Sequence, residues 1–262
     1  MTKLAEYGLK ALPEYQNIDV VQVRSGRGHR YRVTGYESTL PTVTSYLAVT
    51  PKPWMGPWAR KQAASRFRER MAAVESQNQP GEDEYDDYLD EVFNWAKQED
   101  TSALEYGSAT HNLIENLLSG SKHEVDTKTR NIVQPAVDGA MQAIRMKRFS
   151  VVGLEVPIWH PDYHYAGTID FLGKNERGEL VVMDWKRSSA FRVEYAHQVA
   201  AYSECLRVLM GLDEFPDCFV CKVPQAEGQD VEVKEVNVRA SLDVFLKALR
   251  YKNALDTAGV WV

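Results

Sequence analysis

Asp170, Asp184 and Lys186 are the residues of this chain best suited to chemistry. Asp184-Trp185-Lys186 closes the apolar run Leu180-Val181-Val182-Met183, and Asp170 stands fourteen residues upstream of Asp184. Two carboxylates and an amine brought to the ends of neighbouring strands make a compact site for a divalent metal and a phosphodiester, the equipment of metal-dependent phosphodiester cleavage. The D-x-K triplet alone carries little, because chance supplies roughly one in a chain of this size. A second one is Asp126-Thr127-Lys128, and Glu232-Val233-Lys234 is a close relative. Context separates the three.

Residues 179–186 read as a strand buried on both faces, a short apolar run of β-branched and large residues after the turn signal Arg177-Gly178. Alternation puts Val182, Asp184 and Lys186 on one face and Met183 and Trp185 on the other. Acidic and basic groups leaving such a strand are costly unless paired or metal-bound. The preceding run, His164 to Gly173, reads as a second strand joined to the first by a hairpin at Asn175-Glu176-Arg177-Gly178. Antiparallel pairing then brings Asp170 towards Asp184. One strand earlier, Val151 to Trp159 places Glu155 inside another apolar stretch. Asp126, by contrast, opens a polar segment before a helix, a routine position for Asp. Glu232 to Val236 alternates charge with Val, as a strand with one solvated face does.

Two helices add further polar residues. Tyr195 to Tyr202 is helical in pattern and places Gln198 and Tyr202 four apart, on one face. Gly107 to Glu115 opens or continues a helix with core-facing apolar positions. Taken alone, its His111 reads as a hydrogen-bonded helix histidine.

Together these residues resemble the PD-(D/E)XK nuclease superfamily in its RecB-type branch. That branch orders an upstream helix with His, a Glu-bearing strand, G-x-x-D, D-x-K and a Q-x-x-x-Y helix. Here the order is His111, Glu155, Gly167-Thr168-Ile169-Asp170, Asp184-Trp185-Lys186, and Gln198 to Tyr202. Leu40-Pro41-Thr42-Val43-Thr44-Ser45-Tyr46-Leu47, with Trp58 to Ala64 after it, resembles the mitochondrial genome maintenance exonuclease and related phage exonucleases. The acidic stretch after Gln79 and a start without a presequence depart from the mitochondrial pattern and favour a phage-type or bacterial protein.

The resemblance implies an α/β fold with a restriction-endonuclease-like mixed central sheet flanked by helices. It implies one nuclease domain over 1–262, with a helical, DNA-facing subregion at about 40–147 and a catalytic sheet core at about 149–262. It implies Mg²⁺ or Mn²⁺ held by Asp170, Asp184 and the main-chain carbonyl of Trp185, with His111 joining the metal shell or a phosphate. Glu155 joins the metal set as well, or else pairs with an Arg or Lys. Lys186 would orient or deprotonate the attacking water, a role that a lowered lysine pKa serves. Gln198 and Tyr202 would orient the lysine and the DNA backbone.

The net charge of −6 does not exclude a nucleic acid, because the distribution of charge decides where a polyanion docks. Residues 60–70 hold Arg60, Lys61, Arg66, Arg68 and Arg70 against Glu69 alone, with Tyr46, Trp54 and Trp58 just before them. Basic residues interleaved with aromatics suit a single strand; the alternative is a solvated helix face with its aromatics in the core. Glu82 to Glu91 packs seven acids into ten residues, which suits a solvated helix start or an insertion. The first 33 residues include a hairpin, Val20 to Val23 and Tyr31 to Val33 about Ser25-Gly26-Arg27-Gly28, and a last helix runs over about Ala240 to Leu255.

Forty-four per cent apolar residues, without an apolar run near ~20 residues, fit a globular chain with no membrane span. The start lacks a signal-peptide core, which points to the cytoplasm, or the host cytoplasm for a phage protein. Cys205, Cys218 and Cys221 are one short of a four-cysteine cluster, so no iron–sulfur centre is expected. Cys218 and Cys221 fall on opposite faces of a strand-like run and read as buried thiols. The partner expected is DNA, single-stranded or with free ends, in recombination or processing, with a single-strand-binding or recombination protein as a further associate. A flap endonuclease of the same superfamily, a non-catalytic DNA-binding accessory protein and a zinc-binding structural protein are the competing readings.

Overall fold

The computed structural model describes residues 4–25, 28–52, 64–65 and 104–258. By contact the chain forms two compact units, 1–50 with 109–262 and 51–108. Trp58, Arg60, Lys61, Arg66 and the acidic stretch from Glu82 to Glu91 lie outside the described residues.

The larger unit begins with an antiparallel ribbon, β1 (Val20–Ser25) and β2 (Gly28–Val33). A short helix, α1 (Val43–Leu47), follows, and Thr42 caps it by accepting a hydrogen bond from Ser45 N at 3.0 Å. Residues 104–119 form α2, and α3 is Thr127–Lys147. Asp126 is the N-cap of α3, its carboxylate accepting from Thr129 N at 3.0 Å. The first of the competing Asp-x-Lys triplets is therefore a helix start, as its polar setting implied.

Strands β3 (Ser150–Trp159), β4 (Ala166–Lys174) and β5 (Leu180–Lys186) make an antiparallel meander. The β4–β5 turn forms because Asn175 Oδ1 accepts from Arg177 N and Glu179 N, both at 3.0 Å, while Gly178 takes φ +79°. The chain then crosses over through α4 (Val193–Met210) to β6 (Asp217–Lys222), which lies parallel to β5. A parallel neighbour requires such a crossover. Edge strand β7 (Glu232–Glu235) and the final helix α5 (Val238–Thr257) complete the unit. The sheet order is β3-β4-β5-β6-β7.

Helices cover both sheet faces, which is why β5 is apolar on both sides. On one side Val182, Cys218 and Val220 meet Val199, Leu206 and Phe245 from α4 and α5. On the other, Phe171, Trp185, Phe149 and Phe219 pack ring to ring, with Lys147 of α3 5.1 Å from the Phe219 ring centre. This is a mixed α/β fold of restriction-endonuclease-like architecture. Glu232 and Lys234 lie on the largely solvated edge strand, where Glu232 pairs with Lys222. All three cysteines are buried and free, with burial pushing the Cys218 and Cys221 thiols up to about 12. Among the described residues no helix is long and apolar enough to cross a membrane.

Candidate active site

The β4–β5 register runs from Lys174↔Leu180 to Phe171↔Met183, and one further step sets Asp170 opposite Asp184. Asp170 Oδ2 accepts a hydrogen bond from Trp185 N at 3.0 Å, which locks the strands together at that level. Lys186 Nζ donates to Asp184 Oδ1 at 2.9 Å and stands 2.8 Å from Oδ2. Only Oδ1 receives the ammonium in hydrogen-bonding geometry, so Asp184 Oδ2 is buried without a hydrogen-bond partner.

Glu155 arrives from β3 by an unusual route. Its backbone has φ +47°, the left-handed region, in the middle of a strand. The β3–β4 ladder is paired on either side, at Leu154↔Phe171 and Val156↔Ile169, and is interrupted where Glu155 would face Asp170. Such a conformation costs a non-glycine residue about 1–3 kcal/mol and persists where the surroundings over-determine it. Here it accompanies a contact between Glu155 Oε1 and His111 Nδ1 at 2.9 Å. His111 Nε2 lies 3.7 Å from Asp170 Oδ2. One ligating atom each from His111, Glu155 and Asp170 falls within 4.8 Å of the others. The apolar positions Leu113 and Ile114 bury α2 and fix its histidine over the strands.

On α4, Gln198 Nε2 donates to Tyr202 OH at 2.9 Å. The Tyr202 ring packs against Gly167, where a Cβ would come within 2.3 Å of Cε1. The glycine three residues before Asp170 is thus a consequence of packing: no other residue admits the tyrosine. Of the sequence-derived set, the structure brings together His111, Glu155, Asp170, Asp184 and Lys186. Asp184 stands beside the three-residue ligand cluster, engaged with Lys186. Trp185 contributes its amide to Asp170, and its indole is buried against Phe171. Gln198 and Tyr202 engage each other.

Charge sets the character of the site. Burial raises the Asp170 pKa against the lowering effect of His111, with Glu155 raising it further. Burial likewise raises Asp184, opposed by Lys186 and reinforced by Asp170. Burial alone would lower Lys186, but Asp184 and Asp170 outweigh it and hold the ammonium protonated. The lowered lysine pKa expected from sequence is one that a neighbouring cation would produce, and the carboxylates by themselves act in the opposite direction. Burial also acts to lower His111, and the Asp170 and Glu155 carboxylates override it to about 9. Three carboxylates thus face one ammonium and one imidazole. The anionic excess and the mixed oxygen and imidazole donors fit a divalent cation such as Mg²⁺ or Mn²⁺.

Two residues near the site had no sequence signal. Tyr31 OH, on β2, meets Thr168 Oγ1 at 2.6 Å across 137 residues of chain. The Tyr195 ring centre lies 5.1 Å from Lys186 Nζ, a cation–π distance.

No family model matches the chain, and no curated protein does. Among solved structures, the chain is similar to a candidate exonuclease from Eubacterium rectale, at 18% identity over 58% of this chain and 68% of that one, with a TM-score of 0.39. It is also similar to the alkaline exonuclease LHK-Exo of Laribacter hongkongensis, at 12% identity over 56% and 80% of the two chains and a TM-score of 0.27. The same exonuclease in complex with dAMP gives 14% identity, coverage of 59% and 86%, and a TM-score of 0.29. The functional reading therefore rests on the site's own geometry.

Proposed function

We propose that this protein is a metal-dependent nuclease of the PD-(D/E)XK type that hydrolyses DNA phosphodiester bonds at single strands or strand ends. The observation that carries the reading is the convergence of His111, Glu155, Asp170 and the Asp184–Lys186 pair at one point of the sheet, with more negative charge than the protein neutralises. A divalent ion held there by His111, Glu155 and Asp170, with Asp184 beside it, supplies Lewis-acid stabilisation of phosphate charge and activation of the attacking water.

The chain's own residues do the rest. Lys186 is fixed by Asp184 and the Tyr195 ring, and its ammonium donates to a phosphate oxygen or orients the water. Trp185 N holds the Asp170 carboxylate in one orientation. Tyr202, seated against Gly167 and bonded to Gln198, closes the α4 side of the site against solvent.

The test is incubation of end-labelled single-stranded and duplex DNA, linear and circular, with Mg²⁺, Mn²⁺ or EDTA. Metal-dependent loss of linear strands with circles spared is the expected result. Cutting of circles would replace the exonuclease reading with an endonuclease one. Binding without cleavage in either metal would overturn the enzymatic reading in favour of a DNA-binding accessory protein.

A further inference from the structure

From Val20 to Tyr36 the sequence holds Arg24, Arg27, Arg30, Arg32 and His29 and no acid, in a chain of net charge −6. Strands β1 and β2 lie within this segment, and of its cations Arg24, His29, Arg30 and Arg32 stand on them. Their register puts Val20–Val33, Gln22–Tyr31 and Arg24–His29 on one face, and Val21–Arg32 and Val23–Arg30 on the other. Along the first face Val20, Val33 and Tyr31 are buried, whereas Gln22, Arg24 and His29 are exposed.

That face is tied to the candidate active site. Tyr31 OH meets Thr168 Oγ1 at 2.6 Å, and Gln22 Nε2 donates to the same hydroxyl at 3.2 Å. Thr168 and Asp170 share one face of β4, two residues apart. Backbone bridges Tyr31↔Leu40 and Thr42↔Ala166 clamp the ribbon to the same strand. Arg30 is committed to holding Thr39, through Nε at 2.7 Å and Nη2 at 2.5 Å. Among the described residues, the side chains of Arg24, His29 and Arg32 have no hydrogen-bond or ion-pair partner. Arg24 and His29 face each other across the ribbon, one cross-strand pair or about 7 Å along from Tyr31.

We propose that Arg24 and His29 form a docking ledge for the sugar–phosphate backbone of a single nucleic-acid strand whose phosphodiester reaches Asp170, Asp184 and Lys186. The proposal rests on the nuclease reading for the position of that phosphodiester. Its occupant follows from charge and continuity: an exposed, unpaired arginine with an imidazole donor opposite it stands on an otherwise acidic protein, on a ribbon anchored two residues from a site carboxylate. Phosphate contacts of this kind position a strand without reading its sequence.

The test is fluorescence polarisation of a fluorescein-labelled 20-mer of oligo-dT and of mixed sequence in EDTA over a salt series, with the full chain, alongside cleavage of the same strands in Mg²⁺. The double variant R24Q/H29Q should bind both oligomers about five- to tenfold more weakly, with the salt slope reduced by about 0.7 for each phosphate no longer neutralised. R24K should restore the Arg24 contribution, and R32Q, on the opposite face, should stay within about twofold of the unmodified protein. These positions are exposed and leave the Tyr31 anchor intact, so unchanged circular dichroism is expected. Unchanged affinity and slope in R24Q/H29Q, or an equal loss in R32Q, would overturn the ledge even if cleavage proceeds. Binding that depends on Arg24 and His29 without cleavage would sustain the ledge and remove the nuclease reading. Failure of the unmodified protein to bind either oligomer would overturn both.

Discussion

Two clusters in this protein are assembled from nearly the same parts and serve opposite ends. At the β3–β4 turn, buried His160 Nδ1 accepts from Asp162 N and Tyr163 N, both at 3.2 Å, so its proton sits on Nε2, 3.8 Å from Glu204 Oε1. Arg207 grips Glu204 with two hydrogen bonds, at 2.6 and 2.9 Å. Burial raises the Glu204 pKa, but His160 and Arg207 outweigh it and leave the carboxyl below its usual range. One carboxylate thus meets one guanidinium and one imidazole, so its charge is balanced even though His160 Nε2 makes no hydrogen bond. At the candidate active site three carboxylates meet one ammonium and one imidazole, and Asp170 and Asp184 are pushed up by burial instead. A histidine beside a carboxylate does not distinguish structure from chemistry. The charge balance around it does.

Removing charge should therefore act in opposite ways at the two places. The largest effect is on cleavage. Asp184→Ala and Lys186→Ala should each lower the Mg²⁺-dependent rate by at least about 100-fold, with DNA binding in EDTA retained. Arg207→Ala should leave the rate per folded molecule nearly unchanged, and a comparable loss there would erase the distinction. Next comes the metal itself. Saturating Mn²⁺ should raise the melting temperature, by an amount equivalent to about 2.7 kcal/mol at 100 times its Kd. Asp170→Asn should abolish that shift. In EDTA the same variant should melt higher than the unmodified protein, because the amide still accepts from Trp185 N while removing the cost of burying a carboxylate, which outweighs the lost attraction to His111.

At the other cluster, Arg207→Ala should cost about 2 kcal/mol in urea titrations, less than a fully buried pair because the guanidinium side is about a third exposed. Its pH dependence has a definite sign. Glu204 is depressed in the fold, so its contribution is present above the unfolded carboxylate pKa of about 4.3 and is lost as pH falls through the lower folded value. Without Arg207 that loss should move to higher pH. An unmoved acid limb would mean that the pair does not set it.

What could be read in the sequence follows the range of the interactions involved. Strand β5, its hairpin to β4 and the opposition of Asp170 and Asp184 are local, and alternation with a turn signal specifies them. The order of His111, Glu155, Asp170, Asp184 and Lys186 is also visible, but as a set only through the family resemblance, since His111 on its own helix reads as an ordinary hydrogen-bonded histidine. The left-handed backbone at Glu155 is not, since the residue has no propensity for it and only the surrounding ladder and His111 impose it. Gly167 can be seen as a glycine, but its reason, the Tyr202 ring, lies 35 residues further along the chain. Tyr31 is beyond pattern reading altogether: its hydroxyl partner is on β4, and along the ribbon it resembles any buried strand tyrosine. In the His160–Glu204–Arg207 cluster the Glu204–Arg207 pair is local, three apart on α4, but His160 reaches it only through the packing of α4 on the meander.

The smallest effect isolates position from motif. Asp126-Thr127-Lys128 and Asp184-Trp185-Lys186 share one pattern, yet Asp126 is a solvated helix cap whose pKa is lowered by its hydrogen bond from Thr129. Asp126→Ala should lower the melting temperature by about 2 °C at neutral pH through loss of the cap. That difference should vanish as pH falls through the lowered Asp126 pKa, because the protonated carboxyl no longer rewards the helix N-terminus. Metal-dependent cleavage, the metal-induced thermal shift and the DNA affinity should all be unchanged. A loss of cleavage in Asp126→Ala comparable to that in Asp184→Ala would mean that burial and charge balance do not tell the two triplets apart, and the assignment of the site to β4 and β5 would fall with it.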